Sequence, residues 1–157
     1  LRVAPLITAR AVADVTALVD EAVAAGAKVT HRGPIGKGGW FYPATVLTGV
    51  SPQMRIASEE IFGPVASVIA WTDEAEMLAQ ANDTEFGLAG YVYAGRLQDA
   101  LRIAGSLDVG MVGVNRGVVS DPSAPFGGVK QSGIGREGAR EGLREYQETQ
   151  YLSVDWS

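Results

Sequence analysis

Cysteine is absent from the 157 residues of this chain. Disulfides and thiolate metal sites are thereby excluded, a reducing compartment fits, and the chain holds no thiolate nucleophile of its own. Histidine is nearly as scarce. His31 is the single one, placed beside Arg32 before a Gly/Pro-rich loop with no acidic or nucleophilic residue at a motif spacing, so it reads as a surface histidine and not a general base. No Asp/Glu/His grouping has metal-ligand spacing, and no metal is expected. Basic charge is in deficit, 13 Lys and Arg against 18 Asp and Glu, which gives a net charge of -5 and a pI near 4.8. That balance removes the electrostatic footprint of a nucleic-acid or anionic-membrane binder. No apolar run reaches the roughly 18 residues that cross a bilayer, and the first residues lack the charge-then-apolar order of a signal peptide. A soluble cytoplasmic protein is expected.

What is present suits a globular chain: 46% of residues are hydrophobic and 20% charged, enough to bury a core and too apolar for disorder. From Thr8, a good N-cap, Val12, Val15, Leu18, Val19, Ala22 and Val23 recur at helical spacing until Gly26 stops the pattern. Lys28 to Thr30 reads as a short strand. A Gly/Pro-rich loop over 33–39 leads into the aromatic and β-branched run Trp40 to Leu47. Val65 to Ala70 is continuously apolar, as a buried strand would be. A helix from Asp73 to Ala81, a strand Leu88 to Ala94, a helix Leu97 to Ser106 and a strand Gly110 to Asn115 follow. Strands alternating with helices predict an α/β fold with a mostly parallel sheet covered by helices.

The most informative stretch is Glu59-Glu60-Ile61-Phe62-Gly63-Pro64-Val65. Two adjacent carboxylates do not face one another in a strand or on a helix, so one can be solvated while the other binds. Gly63-Pro64 fixes a bend, because proline locks its own φ, restricts its predecessor and donates no ladder hydrogen bond. On these residues alone a plain loop with a surface glutamate remains open. As a unit, however, EEIFGPV resembles a signature of the aldehyde dehydrogenase superfamily. The resemblance implies that Glu60 holds the ribose of a nicotinamide cofactor, NAD or NADP, and that Phe62 packs near the nicotinamide.

Other blocks carry the resemblance in the same order. Trp40-Phe41-Tyr42-Pro43 with Thr45-Val46-Leu47 is similar to the family's aromatic-proline strand. Asn82-Asp83-Thr84-Glu85-Phe86-Gly87-Leu88-Ala89 is similar to its N-[DN]-[ST]-x-[YF]-G-L block, with packing and turn duties and Gly87 as a candidate for positive φ. Ala124 to Glu137, APFGGVKQSGIGRE, is similar to PFGG-x-K-x-SG-x-GRE. Within it Gly133, Gly135 and Gly138 satisfy G-x-G-x-x-G, but no buried strand feeds the first glycine, so close packing is expected in place of a dinucleotide loop.

Asn115 to Ser120 resembles the N-x-G-[LV]-[IV]-S pattern of succinate-semialdehyde dehydrogenases, in which a serine helps hold the far carboxylate of the substrate. Ser120 matches that serine, and a hydroxyl donor suits a carboxylate; an ordinary turn serine before Asp121-Pro122 is the competing reading. Arg116 and Asp121-Pro122 depart from the pattern, Asp121 by adding negative charge beside an anionic substrate. Phe126 is either an apolar wall of the substrate tunnel or a core aromatic.

Family members attack the aldehyde with a cysteine thiolate, which this chain lacks. Together with the start at Leu1, this leads to the expectation of the C-terminal portion of a longer enzyme: residues 1–132 the C-terminal part of the catalytic domain, 133–147 a connecting helix, and 148–157 a terminal strand. That strand alternates Leu152, Val154 and Trp156 with Tyr151, Ser153 and Asp155, and by resemblance is the oligomerisation element of a homo-oligomer. Expected partners are an aldehyde, succinic semialdehyde by resemblance, and the N-terminal remainder of the enzyme. The expected site is cofactor-binding Glu60 and Phe62 with substrate-binding Ser120 and Phe126, and no catalytic residue from this chain. The alternative from another class is a stand-alone, non-catalytic binding or oligomerisation module.

Overall fold

The computed structural model describes residues 3–157, which form two compact units, one ending at Glu74 and the other spanning Ala75–Ser157. The first unit is built on α1 (Ala9–Ala24), capped as its sequence predicts: the Thr8 Oγ1 accepts the Ala11 N–H at 3.1 Å. Gly26, at φ 109°, ends it. Val15, Leu18, Val19 and Ala22 form its buried stripe and meet Tyr42, Leu47, Val50 and Ile56 in one core cluster. Burying side chains of this kind contributes about 1.5 to 3 kcal/mol each.

Against that stripe lies a sheet of order β1-β2-β3, made of Lys28–Arg32, Thr45–Thr48 and Val65–Ser67. β1 and β2 pair antiparallel, β2 and β3 parallel. The parallel pair requires a crossover, which the short helix α2 (Arg55–Ser58) supplies. The strand expected over Trp40 to Leu47 is confined to its second half, since Pro43 has no N–H to donate and the Phe41 ring instead packs on Gly36. The run Val65 to Ala70 also differs from expectation. Only its first half is strand, and Val68 and Ile69 are exposed, because β3 is a sheet edge here and has no second neighbour among the described residues.

The second unit contains α3 (Glu74–Asn82, whose first residue precedes the unit boundary), β4 (Phe86–Gly87), β5 (Ala89–Val92), α4 (Leu97–Ala104), β6 (Met111–Val114), β7 (Val129–Lys130) and α5 (Glu141–Arg144). β5, α4 and β6 make a β-α-β unit with parallel strands. β4 and β7 pair antiparallel. The chain is thus α/β as expected, but its pairings are divided between parallel and antiparallel in three small sheets, in place of one mostly parallel sheet.

The Asn82 side chain ties this unit together by donating to the Ser106 carbonyl at 2.7 Å and accepting the Asp108 N–H at 2.9 Å. The Lys130 ammonium donates to the Asn82 and Thr84 carbonyls at 2.9 and 3.2 Å. Gly87 has no positive φ. It is required for a different reason: a Cβ there would stand 2.6 Å from the Asp108 carbonyl oxygen and 2.8 Å from Val129.

The helix expected over 133–147 is reduced to α5. Gly133, Gly138 and Ala139 take left-handed conformations that interrupt it, while Gly142 is accommodated within α5. Residues 148–157 carry the alternating pattern but form no strand and stay exposed, since a strand needs a ladder partner and none of the described residues provides one. Among the described residues no helix is long and apolar enough to cross a membrane, and no group of His, Asp or Glu could hold a metal ion.

Candidate functional site

The EEIFGPV stretch runs from the end of α2 to the start of β3. Ile61 is its anchor, packing on the core cluster of the first unit, and this leaves its neighbours Glu60 and Phe62 both exposed. Phe62 is 78% exposed and holds φ at 44°, a left-handed conformation uncommon for a bulky residue. Gly63 explains part of that geometry. A Cβ at this position would lie 2.7 Å from the Val15 Cγ2, so α1 presses directly on the backbone here. Pro64 then forms a tight turn, the Val65 N–H reaching the Gly63 carbonyl at 2.8 Å, and its own carbonyl accepts the Thr45 N–H at 2.9 Å. Sheet and helix together fix where the carboxylate and the ring emerge.

The two glutamates are not equivalent. Arg55 donates through Nη1 to both Glu59 oxygens at 3.2 Å. From the same guanidinium, Nε and Nη2 donate to the Glu21 oxygens at 2.8 and 2.7 Å. These bonds to Glu21, before those to Glu59, raise the Arg55 pKa above its usual value. Glu60 makes no hydrogen bond or ion pair with any described residue, and it lines an open groove of about 390 Å³ with Ala11, Asp14, Leu18, Arg55 and Phe62.

The other two expected residues lie in the second unit. Ser120 is exposed, and its hydroxyl has no hydrogen-bond partner among the described residues. Next to it, Asp121 is occupied: its carboxylate accepts the Ser123 Oγ at 2.7 Å and the Ser123 N–H at 2.9 Å. The side-chain bond foremost, then the backbone bond and the charge of Arg116, hold the Asp121 carboxyl below its ordinary range. Phe126 is half-buried. Its backbone pairs in both directions with Glu137, at 2.8 and 2.7 Å, and it lines a concavity with Leu88, Gly128, Ser132, Leu143 and Tyr146.

The G-x-G-x-x-G stretch turns its carbonyls inward. Arg136 Nη1 donates to the carbonyls of Gly128, Gly135 and Ile134 at 2.7, 2.9 and 3.2 Å, and a Cβ on Gly127 would meet the Arg136 Cδ at 2.8 Å. A phosphate loop instead needs N–H groups directed at the ligand. The close packing expected of these glycines falls instead on Gly127 and Gly128, whereas Gly133 has open space around it and, like Gly138, takes a positive φ.

The aldehyde dehydrogenase family model matches residues 1–152. The chain belongs to the aldehyde dehydrogenase family. Among its curated relatives within that family, a succinate-semialdehyde dehydrogenase of Paenarthrobacter nicotinovorans is 48% identical over 98% of this chain and 34% of its own length. A glutarate-semialdehyde dehydrogenase of Pseudomonas putida is 47% identical over 96% of this chain and 31% of its own length. In structure, an aldehyde dehydrogenase of Brucella melitensis biovar abortus superposes with a TM-score of 0.88 at 48% identity, over 94% of this chain and 30% of that one. An aldehyde dehydrogenase of Mycobacterium tuberculosis, solved with NAD+, gives 0.85 at 36% identity over 92% and 30%. The chain therefore spans about a third of the length of the aldehyde dehydrogenases it matches.

Sequence reasoning did not single out Arg55 and Glu21. The Arg55 to Glu59 spacing of four residues was a readable signal, whereas Glu21 stands 34 positions from Arg55 and no local pattern links them.

Proposed function

We propose that this chain is part of an NAD(P)+-dependent aldehyde dehydrogenase whose substrate is a semialdehyde with a carboxylate at its far end, succinic semialdehyde first. The observation that carries this reading is the pairing of an unengaged Glu60 carboxylate with an exposed, left-handed Phe62 on one short, braced segment. The site fits a nicotinamide nucleotide: a free carboxylate accepts hydrogen bonds from ribose hydroxyls, and a bare aromatic face offers a flat packing partner.

The cofactor, when bound, supplies the hydride acceptor. Glu60 would orient the ribose and Phe62 would restrict the ring beside it, so both residues contribute by placement and form no bonds with the aldehyde. Ser120 would donate to the distal carboxylate of the substrate and Phe126 would give an apolar wall. Asp121 is held ionised by its bonds from Ser123, so its negative charge beside Ser120 counts against an anionic substrate and is offset only in part by Arg116. The relatives' names include both succinate- and glutarate-semialdehyde dehydrogenases, which supports a carboxylate-bearing semialdehyde of four or five carbons. Without cysteine this chain leaves the nucleophilic thiolate to another part of the enzyme.

Large exposed apolar side chains, among them Tyr146 at 92% and Trp156 at 91%, favour further protein around this segment over a stand-alone binding module. The terminal run 148–157 would then gain its missing ladder partner from another subunit of a homo-oligomer. The deciding experiment is Glu60→Gln in the full-length enzyme. Single-turnover NAD(P)H formation is expected to slow about tenfold or more, the equivalent of one hydrogen bond to a charged group, with a smaller change in adenine-nucleotide binding. An unchanged rate would refute the role of Glu60.

A further inference from the structure

Of the adjacent carboxylates at 59 and 60, the structure leaves one free, and the residue responsible is Arg55. Its guanidinium spans two acids on different elements: Glu21 on α1, held by two bonds at 2.8 and 2.7 Å, and Glu59 at the end of α2, held by two at 3.2 Å. The first is the fork-to-fork geometry that only arginine offers. Arg55, Glu59 and Glu60 all line the same groove.

We infer that Arg55 is a positioning residue for the cofactor site. By neutralising Glu59 and bracing the end of α2 against α1, it leaves Glu60 as the unpaired carboxylate of the groove, since Asp14, which also lines it, is paired with Arg10 at 3.7 Å. The inference rests on the proposed role of Glu60. Its physical basis is that, without Arg55, Glu59 would stand as an uncompensated anion in a groove meant to receive a ligand bearing a pyrophosphate. Side chains of Arg55, Glu21 and Glu59 are 45%, 55% and 49% exposed. Pairs this solvated contribute little to folding, so the arrangement should show itself in binding and not in stability.

The test is equilibrium binding of NAD+ and NADP+ to the full-length enzyme, followed by quenching of its intrinsic fluorescence with no aldehyde present. Arg55→Met is expected to raise the cofactor Kd about threefold, the size of one exposed ion pair, with little change in Tm. Adding Glu59→Gln to that variant should restore the Kd, because the offending charge is then gone. Arg55→Lys should fall between, since an ammonium keeps the charge but cannot bridge both acids.

A Kd unaffected by Arg55→Met overturns the inference. So does a double variant no better than the single one, which would make Arg55 only a brace between helices. If Arg55→Met fails to fold, Arg55→Lys with and without Glu59→Gln carries the same comparison. Glu60→Gln separates the two levels of the argument. If it alters neither Kd nor single-turnover rate, the reading of the groove itself fails; if it impairs either while the Arg55 variants bind normally, only the role of Arg55 fails.

Discussion

Phe62 combines a left-handed backbone with a ring that is 78% exposed, two features that folding does not favour. A non-glycine residue held in that region costs of order 1 to 3 kcal/mol, and an exposed phenylalanine forgoes its burial. Such a residue is where a binding role is to be sought, and the motif had already named it. The choice between Glu59 and Glu60 was less legible. From the residues alone both were candidates, and it took Arg55, brought alongside by folding, to occupy one of them. Ser120 resembles Glu60 in having no partner. Ser120→Ala is expected to raise KM for succinic semialdehyde by the equivalent of ~1.5 to 3 kcal/mol and to leave an uncharged aldehyde of equal length nearly unaffected; equal losses on both would make it a turn serine. Asp121 offers a measurement of the same loop. Its carboxyl is held below the ordinary carboxylate range chiefly by the Ser123 hydroxyl. A depressed carboxyl stabilises the fold above its unfolded pKa, and that contribution disappears as pH falls through the folded value. Ser123→Ala should therefore move the Asp121 titration upward toward the ordinary carboxylate range, observable by carbon NMR of the side-chain carboxyl. A titration that stays in place would assign the shift to the backbone N–H and Arg116.

Gly63 connects the residues of the site to the elements that carry them. It sits where α1 meets the bend into β3, with Val15 at 2.7 Å from any Cβ placed there. Gly63→Ala is expected to destabilise the protein by about 1 to 3 kcal/mol, as overpacking of a filled core does, and to weaken cofactor binding because the bend orients Phe62. A urea midpoint equal to that of wild type would show that α1 yields without cost. The elements themselves were legible to different degrees. α1 was readable at both ends, since Thr8 caps it and Gly26 stops it through bonds within one turn of the helix. The run Val65 to Ala70 and the segment 133–147 were not: apolar composition cannot say whether a neighbouring strand arrives to bury it, and the connecting helix expected over 133–147 is broken by the left-handed backbone that Gly133 and Gly138 allow.

For the molecule as a whole, the chain folds as two units that each have their own contacts, and the large buried cluster belongs to the first. In the second, Leu97 and Leu101 of α4 and Tyr91 and Tyr93 around β5 remain exposed, apolar surface of a kind that marks contact with further protein. The isolated chain, incubated with NAD+ or NADP+ and succinic semialdehyde, is expected to form no reduced cofactor, because no residue in it can make the thioester. Detectable turnover would show that another nucleophile operates.

Composition, helical phase and the cap at Thr8 were enough for an α/β chain and the ordered motif blocks for the family, while Glu60, Phe62, Ser120 and Phe126 were candidates by resemblance. They sufficed because propensity, capping and side-chain periodicity act within a turn or a pleat and are written in adjacent letters. Which glutamate stands free, why Gly63 admits no side chain, and why the glycines from 127 to 138 enclose an arginine and not a phosphate were decided by folding. Each depends on atoms far apart in sequence, Glu21 with Arg55 and Val15 with Gly63, brought together by burial of the core, which has no local signature.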